Sequence, residues 1–280
     1  MPNWVMNRLV LKGKEAGRVA DEILSKDKDS GKEFINFNNI KKMPDSLNIV
    51  CGSCTFAAAE YYLSSINPNN PNVKGEKVSQ EEYEKIIKKL NTYGRCREIG
   101  GEKEHEIEKS EYEIIGKREG YLNYGKTVVN NLIQYGAPTW YEWNMKHWGV
   151  KWNASDSRVQ RDINEVTIQF ETPWDGVMAL MTKVGEKYKD VSLVYDCSEE
   201  QVGLYEKKLV MEKGDVVFAK RYKEGSKEAT EHYMEMWGLE HEFTYDPKID
   251  NYRPKWLEEE KEEKKTKSKK KEKEVNEQEK

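Results

Sequence analysis

Hydrophobic residues alternate with polar ones at the start of the chain, where Val5, Leu9 and Leu11 fall on one face at a period of two. This spacing predicts a β-strand over Trp4 to Leu11. Asn7 lies on the same apolar face, and a buried amide that lacks a hydrogen-bond partner costs on the order of 1–3 kcal/mol. We therefore expect the Asn7 side chain to bond to a neighbouring segment.

The spacing of hydrophobic residues then predicts two helices and three more strands. Ala16 to Leu24 carries a stripe at helical spacing, and Glu33 to Ile40 follows it as a strand. Alternation returns at Glu165 to Phe170, a helical stripe runs from Val177 to Tyr188, and Val191 to Asp196 follows as a strand. The order is strand, helix, strand, followed by strand, helix, strand. Two such units predict an α+β fold, the ferredoxin-like βαββαβ sandwich, with an antiparallel sheet and both helices on one face.

Three further regions complete the predicted organisation. Residues from about 48 to 148 carry helical stripes and turn signals, which indicates a large helical insertion within a ferredoxin-like domain that spans residues 1–257. A hairpin and a helix are expected over about residues 204–238. Residues 258–280 contain nine Lys, nine Glu and a single aliphatic residue. They are expected to form a disordered charged tail, because they cannot bury enough apolar surface to offset chain entropy.

Composition and charge narrow the classes of protein that the chain can belong to. Hydrophobic residues make up 36% of the chain and charged residues 35%, and the net charge is −4. No apolar run reaches the ~18 residues that span a bilayer, so we expect a cytoplasmic protein without a membrane partner. The acidic balance argues against a protein held on duplex DNA by phosphate neutralisation.

The cysteines do not form a recognisable metal motif. Cys51 and Cys54 have the two-residue gap of a zinc half-site, but Cys96 and Cys197 are too far away along the chain to supply the second half. We expect reduced thiols, no bound metal and no cofactor, while zinc at the Cys51–Cys54 pair stays an open alternative.

The segment Thr139 to Asp156 contains four of the eight tryptophans of the chain. On a short helix, the first three of these rings and a histidine would share one face. Such a stripe favours packing, in which the rings attach the insertion to the sheet, and each indole N–H then needs an acceptor. The alternative is an exposed aromatic and cationic surface that stacks a base or anchors a partner protein. The candidate binding residues are Trp140, Trp143, Asn144, His147, Trp148, Lys151, Trp152, Asn153 and Trp174.

Four motifs stand out along the chain: "PNWVMNRL", "FINFNNIKKMPDSL", "TWYEWNMKHWGVKWNA" and "FETPW". Together they resemble the YubB ferredoxin-like domain family, whose members are found largely on plasmids, prophages and phages. The resemblance covers Pro2 to about Tyr195 and implies a ferredoxin-like fold with a helical insertion, carried by a mobile element. The family has no assigned activity that could be transferred.

The chain departs from the family pattern at two places. Val5 stands where the family usually has a cysteine, so a shared role of that thiol is in doubt. Pro173 and Asp175 flank Trp174 in "FETPWDGV", where the family pattern places other residues on both sides of the tryptophan. The region beyond Cys197 and the charged tail carry no part of the resemblance.

The histidines and the common catalytic motifs provide no candidate reaction. His105, His147, His232 and His241 are scattered, and no H-E-x-x-H, Walker A or G-x-S-x-G motif occurs. We therefore assign no catalytic residue.

Two polar segments are interpreted as solvent-exposed. Glu228, Glu231, His232 and Glu235 share one predicted helix and are interpreted as its solvated face. The stretch with Asp156 and Arg158, "NASDSRVQRD", is interpreted as a polar loop.

These observations favour a non-catalytic protein of a phage or plasmid that binds and inhibits or sequesters a host factor. The expected partner is a host protein or protein complex, such as a defence nuclease, with a nucleotide signal or nucleic acid as the alternative. A module for single-stranded RNA is a second hypothesis, because RRM domains share the ferredoxin-like topology. An enzyme is a third, and it requires His147, Lys151 and Asp156 to converge in a pocket. The sequence does not predict the oligomeric state.

Overall fold

A computed structural model describes residues 3–70, 78–93 and 118–257 of the chain. The chain divides into two compact units, one built from Met1–Ile40 with Trp152–Lys280 and one from Lys41–Lys151. We call them the sheet unit and the helical unit. The predicted tail, Cys96 and His105 lie outside the described residues.

The sheet unit contains all of the strands among the described residues. Its helices and those of the helical unit are numbered together in chain order. The strands are β1 (Trp4–Lys12), β2 (Leu24–Lys26), β3 (Glu33–Ile35), β4 (Ser155–Asp162), β5 (Glu165–Pro173), β6 (Ser192–Glu199), β7 (Glu206–Glu212), β8 (Asp215–Arg221), β9 (Phe243–Asp246) and β10 (Asn251–Pro254). The α-helices are α1 (Ala16–Ile23), α2 (Phe37–Ile40), α3 (Ser53–Ile66), α4 (Gln80–Asn91), α5 (Arg118–Tyr135), α6 (Trp140–His147), α7 (Met178–Lys187) and α8 (Lys227–Trp237).

The main sheet has six strands in the order β4-β5-β1-β6-β7-β8, and every neighbouring pair is antiparallel. The strands β1, β4, β5 and β6, with α1 and α7, have the ferredoxin-like arrangement. The predicted α+β ferredoxin-like fold is confirmed. The hairpin of β7 and β8 extends the sheet beyond β6.

The predicted second strand, Glu33 to Ile40, is wrong. Its first residues form β3, which pairs only with the short β2, and the rest is helix α2. Asn36 favours the helix because its Oδ1 accepts a hydrogen bond from the Asn38 backbone N–H at 3.1 Å. The second ferredoxin-like strand is β4, from the stretch interpreted as a polar loop. As an edge strand it has no buried residue and therefore no apolar alternation.

The core of the sheet unit lies between the sheet and the two ferredoxin-like helices. Leu9 and Leu11 of β1 are buried, as is the apolar face of each helix, and Tyr188 after α7 donates to Glu22 of α1 at 2.7 Å. Helix α8 lies on the opposite face of the sheet, where Arg8 of β1 contacts Glu235 at 2.7 Å. The sheet is thus covered on one face by α1 and α7 and in part on the other by α8.

The helical unit packs α3 against α5, with α4 beside α5, around a core that includes Leu63, Leu90 and Leu132. The two long helices approach closely at Gly125, where an added Cβ would lie 2.0 Å from the Ala58 carbonyl oxygen. In the described part of the chain, no helix combines the length and the apolar character needed to cross a bilayer.

Candidate functional site

The tryptophan segment is divided between the two units. Trp140 to Lys151 belongs to the helical unit, whereas Trp152, Asn153 and Trp174 belong to the sheet unit. The predicted binding residues therefore fall into two groups, which are described in turn.

Three of the candidates in the helical unit are core residues. Trp143 and Trp148 are buried and meet edge to face, with ring centroids 5.8 Å apart. The Trp148 indole N–H donates to the Lys41 carbonyl at 2.9 Å, and Asn144 donates to the Lys151 carbonyl at the same distance. The Trp148 indole thus has its acceptor within the protein, as a packing ring requires.

The other candidates in the helical unit are half-buried. The His147 ring lies 4.4 Å from the Trp143 ring, and the Trp140 ring meets the edge of Tyr141 at 5.9 Å. The Lys151 ammonium lies 5.7 Å from the centre of the Tyr141 ring. The geometry of this group indicates local packing around α6.

The candidates in the sheet unit include an exposed aromatic pair. The rings of Trp152 and Trp174 lie 5.6 Å apart with an interplanar angle of 34°. Their residues are 41% and 50% exposed, respectively. Asn153 has an internal role, since its Oδ1 accepts from the Phe37 N–H at 2.9 Å and its Nδ2 donates to Asn36 at 2.8 Å. Asn153 thus fixes the chain directly after Trp152.

The backbone at Trp174 is held in an unfavourable conformation. Its φ is +64°, in the left-handed region that residues with a Cβ rarely adopt. Such a residue costs of order 1–3 kcal/mol unless its surroundings impose the conformation. Here the Trp174 N–H donates to the Asn3 carbonyl at 2.9 Å, and the Thr172 hydroxyl donates to the Asp175 carbonyl at 2.7 Å. The turn therefore directs a large apolar ring towards solvent at a cost in stability.

A buried polar network supports this turn from below. The amide of Asn7 donates to the Thr172 hydroxyl at 2.8 Å and accepts from the Tyr195 hydroxyl at 2.5 Å. The Tyr195 oxygen in turn accepts from the Val177 N–H at 2.7 Å, at the start of α7. The predicted bonding of Asn7 to a neighbouring segment is confirmed. The network joins β1, β5, β6 and α7 directly under the aromatic pair.

The groups around this network are neutral and tightly packed. Burial raises the pKa of Cys197 to about 12 and also raises the pKa of Tyr195. A Cβ at Gly176 would lie 2.4 Å from the Cys197 sulfur, so a side chain there does not fit. This thiol is a packing residue, because nucleophilic cysteines need a lowered pKa.

A mixed-charge cluster follows Trp174 along the chain. The Asp175 carboxylate accepts from the Tyr205 hydroxyl at 2.5 Å and lies 3.1 Å from the Lys207 ammonium. Lys207 also hydrogen-bonds Tyr205, and the Arg221 guanidinium lies 5.5 Å from the Tyr205 ring centre. Burial first, and then the bond to Asp175, raise the pKa of Tyr205, which keeps this phenol neutral.

A second group of polar residues lies under α8, and the sequence interpretation missed it. His232 was interpreted as part of a solvated helix face, but it is buried against the sheet. Its Nε2 lies 3.1 Å from Asp196 of β6, and its Nδ1 contacts Glu206 of β7. The position of His232 three residues after Ala229, within the apolar stripe of α8, was the available signal.

In this cluster under α8, the His232 ring lies between two buried acids. Asp196 also contacts Arg8 at 3.1 Å and Lys208 at 3.2 Å. Burial disfavours charge on the His232 ring, but hydrogen bonds to Asp196 and Glu206 outweigh it and raise the pKa of His232. Burial also raises the pKa of Glu206, whereas His232 and the cations lower that of Asp196 against the effect of burial. The contacts of this cluster join α8 to the sheet. Its central residues are buried, so a substrate has no access to them.

The residues of the enzyme hypothesis have ordinary surroundings. Asp156 is exposed on β4, with φ +41°, and pairs with Arg158 at 3.2 Å. His147 and Lys151 lie in the other unit, where they contact aromatic rings. Within the described ranges, no three His, Cys, Asp or Glu residues are grouped to hold a metal ion.

Comparison with known proteins agrees with the fold. Residues 147–243 match the family described as "Ferredoxin-like domain in Api92-like protein", and the match includes β4 to α8. It thus extends beyond Cys197, where the sequence resemblance ended.

One solved structure, a protein api92 from Yersinia pseudotuberculosis, aligns over 81% of this chain and 100% of its own with 12% identity and a TM-score of 0.37. No curated protein matches the chain. Residues 147–243 of this chain are thus similar to the ferredoxin-like domain of Api92-like proteins.

Proposed function

We propose that the protein acts by binding a partner protein through the Trp152–Trp174 pair. The observation that carries this proposal is the half-exposed pair of indoles in ring contact, one of which stands on a backbone turn with positive φ. Strained residues cluster at functional sites, where the surrounding structure holds them in place. A turn with a packing role alone is expected to bury its largest apolar side chain, whereas this turn exposes it.

The chemistry of the pair suits recognition of a protein. Trp is enriched among the residues that dominate binding energy at interfaces, because a rigid ring contributes a large area at low entropic cost. The adjacent cluster of Asp175, Lys207 and Arg221 offers both signs of charge. An apolar centre beside a charged rim is the usual composition of a protein–protein interface.

The partner we propose is a host protein or protein complex, which this protein inhibits or sequesters in the cytoplasm. Support for this comes from the resemblance to the YubB family, whose members are carried by phages and plasmids. A defence nuclease is a suitable target, because a protein of net charge −4 can compete for surfaces that normally bind nucleic acid. Nothing in this mechanism requires turnover.

The hypothesis of single-stranded RNA binding receives less support from the geometry. An RRM stacks bases on aromatic residues of its central strands. Here the corresponding face of β5 carries Thr167, Gln169 and Glu171, opposite Val10, Arg8 and Met6 of β1. Arg8 is paired with Asp196 and Glu235, and α8 covers part of the same face. We therefore keep a single proposed function.

The test is a quantitative pull-down from host-cell lysate with the full chain and with Trp152→Ala/Trp174→Ala. We expect recovery of the specific partner to fall at least tenfold, which corresponds to about 1.4 kcal/mol or more. Ile163→Ala is the matched control, since Ile163 is 96% exposed at the β4–β5 turn. It should leave recovery unchanged. A partner set that is the same for all three proteins would contradict the proposal.

A further inference from the structure

The strand β8 is the outermost strand of the main sheet on the side of the β7–β8 hairpin. Among residues 3–70, 78–93 and 118–257, no strand pairs with its outer edge. Its centre is apolar and exposed, with Val216, Val217 and Phe218 at 50%, 54% and 45% exposure. An edge of this kind has open backbone hydrogen-bonding groups and readily pairs with another strand.

Both faces of this edge are apolar, and the strand contains a bulge. Val216 pairs with Met211 and Phe218 pairs with Val210, so Val217 is the extra residue between them. Met211 and Val210 are consecutive and point to opposite faces of the sheet. The side chains of Val216 and Phe218 therefore lie on opposite faces, and a strand placed alongside β8 would cover both.

The opposite edge of the sheet is protected. The strand β4 exposes the charged residues Asp156, Arg158 and Arg161, and its register shifts between Ser155 and Arg158. The backbone N–H of Ile35 also donates to the Ser157 hydroxyl at 3.3 Å, so β3 approaches this edge. Charges, bulges and covering segments are the usual means by which proteins block strand addition. Only one of the two edges is thus suited to pairing.

We infer that β8 pairs with β8 of a second copy of the chain, in antiparallel orientation, and forms a continuous sheet across a two-fold axis. The charges at the ends of the strand select this partner. β8 begins with Asp215 and ends with Lys220 and Arg221. Antiparallel pairing of two copies, with Phe218 opposite its own counterpart, places Asp215 of each strand opposite Arg221 of the other and Val217 opposite Ala219.

The geometry also explains why assembly stops at two chains. A two-fold interface uses the same surface of both copies and closes on itself. Since β4 is protected, the joined sheet has no further unprotected edge among the described strands. Like charges at both ends would oppose the parallel orientation, so the antiparallel dimer is the arrangement that this strand specifies.

Sedimentation equilibrium of the full chain over a wide concentration range tests the inference. We expect a species of twice the chain mass of 32.8 kDa. Val217→Lys should weaken the dimer at least tenfold, because it places a charged side chain next to the apolar centre of the pairing. Ile163→Lys, the same change at an exposed site remote from β8, should leave the dimer intact.

A second variant of β8 and a folding control distinguish loss of the dimer from loss of the fold. Phe218→Lys should weaken the dimer as Val217→Lys does, and circular dichroism should show native β-structure in both. A monomeric wild-type chain at all concentrations would overturn the inference. So would a dimer that both β8 variants leave unchanged. Neither result bears on the Trp152–Trp174 pair, whose variants are tested by partner recovery.

Discussion

At the scale of single residues, the site depends on side chains whose surroundings the sequence could not show. Trp174 looked like a member of a motif, but only the structure shows its positive φ and its ring contact with Trp152. The bonding of Asn7 was predictable, because a polar residue on an apolar strand face requires partners. The burial of His232 was missed, because three acidic neighbours on the helix suggested solvent and the two acids that bind it lie on distant strands.

Substitution of Trp174 tests the strain at the turn. Trp174→Gly should be more stable than Trp174→Ala by about 1 kcal/mol, because glycine adopts positive φ without a steric penalty. At an ordinary position the order is the reverse, since glycine loses more chain entropy. Urea denaturation of the two variants measures the difference. An alanine variant as stable as the glycine variant would show that the turn is unstrained.

The cluster around His232 predicts a pH dependence. The folded-state pKa of His232 is raised, so its contribution to stability is fully present below the unfolded value of about 6.5 and is lost as pH rises through the folded value. The pKa of Asp196 is lowered, so its contribution is present above about 3.9 and is lost as pH falls through the folded value. The pKa of Glu206 is also raised, so its contribution is lost as pH rises through its own folded value.

Denaturation of the wild type and of His232→Gln across this pH range provides the measurement. The difference in unfolding free energy should be largest at mildly acidic pH, below about 6.5, and should shrink as pH increases. His241→Gln, the same substitution at an exposed histidine, is the matched control variant. A difference that stays constant with pH would mean that the ring carries no functional proton in this cluster.

At the scale of elements, the central strands of the sheet were predicted from the sequence, whereas the edge strand β4 was not. The strands β1 and β5 were predicted because they lie in the centre of the sheet and alternate buried with half-buried residues. The strand β4 was missed because it has no buried residue, and its charged side chains are equally typical of a loop. The Ser79 hydroxyl caps α4, since it accepts from the Glu82 N–H at 3.2 Å.

The close crossing of α3 and α5 gives a prediction at this scale. Gly125→Ala should destabilise the protein by about 1–3 kcal/mol, because the added Cβ would overlap the Ala58 backbone. Gly17→Ala in α1 is the matched control, since its Cβ meets no atom within 4 Å. It should stabilise the protein by about 0.5–1 kcal/mol, because alanine is the better helix former. Thermal denaturation followed by circular dichroism distinguishes the two, and equal effects would contradict the close packing.

At the scale of the whole molecule, the chain consists of a ferredoxin-like sheet unit and a helical unit inserted into its sequence. The helical unit spans Lys41–Lys151 and lies between α2 and β4, which is before the second ferredoxin-like strand. The sequence placed an insertion in the same region but after a strand, because Glu33 to Ile40 was taken as the second strand. The tryptophan segment crosses the boundary of the two units, so residues that are neighbours in sequence differ in role. The spacing of hydrophobic residues alone could not show which tryptophan rings are packed and which are exposed.

The central claim is that Trp152 and Trp174 present their indoles to solvent while Trp143 and Trp148 are core residues. The most direct measurement is fluorine NMR of the full chain labelled with fluorotryptophan, with a soluble paramagnetic agent added and signals assigned by single Trp→Phe variants. The account predicts strong broadening of the Trp152 and Trp174 signals and little change at Trp143 and Trp148. Protection of Trp152 and Trp174 to the same degree as the core rings would contradict it.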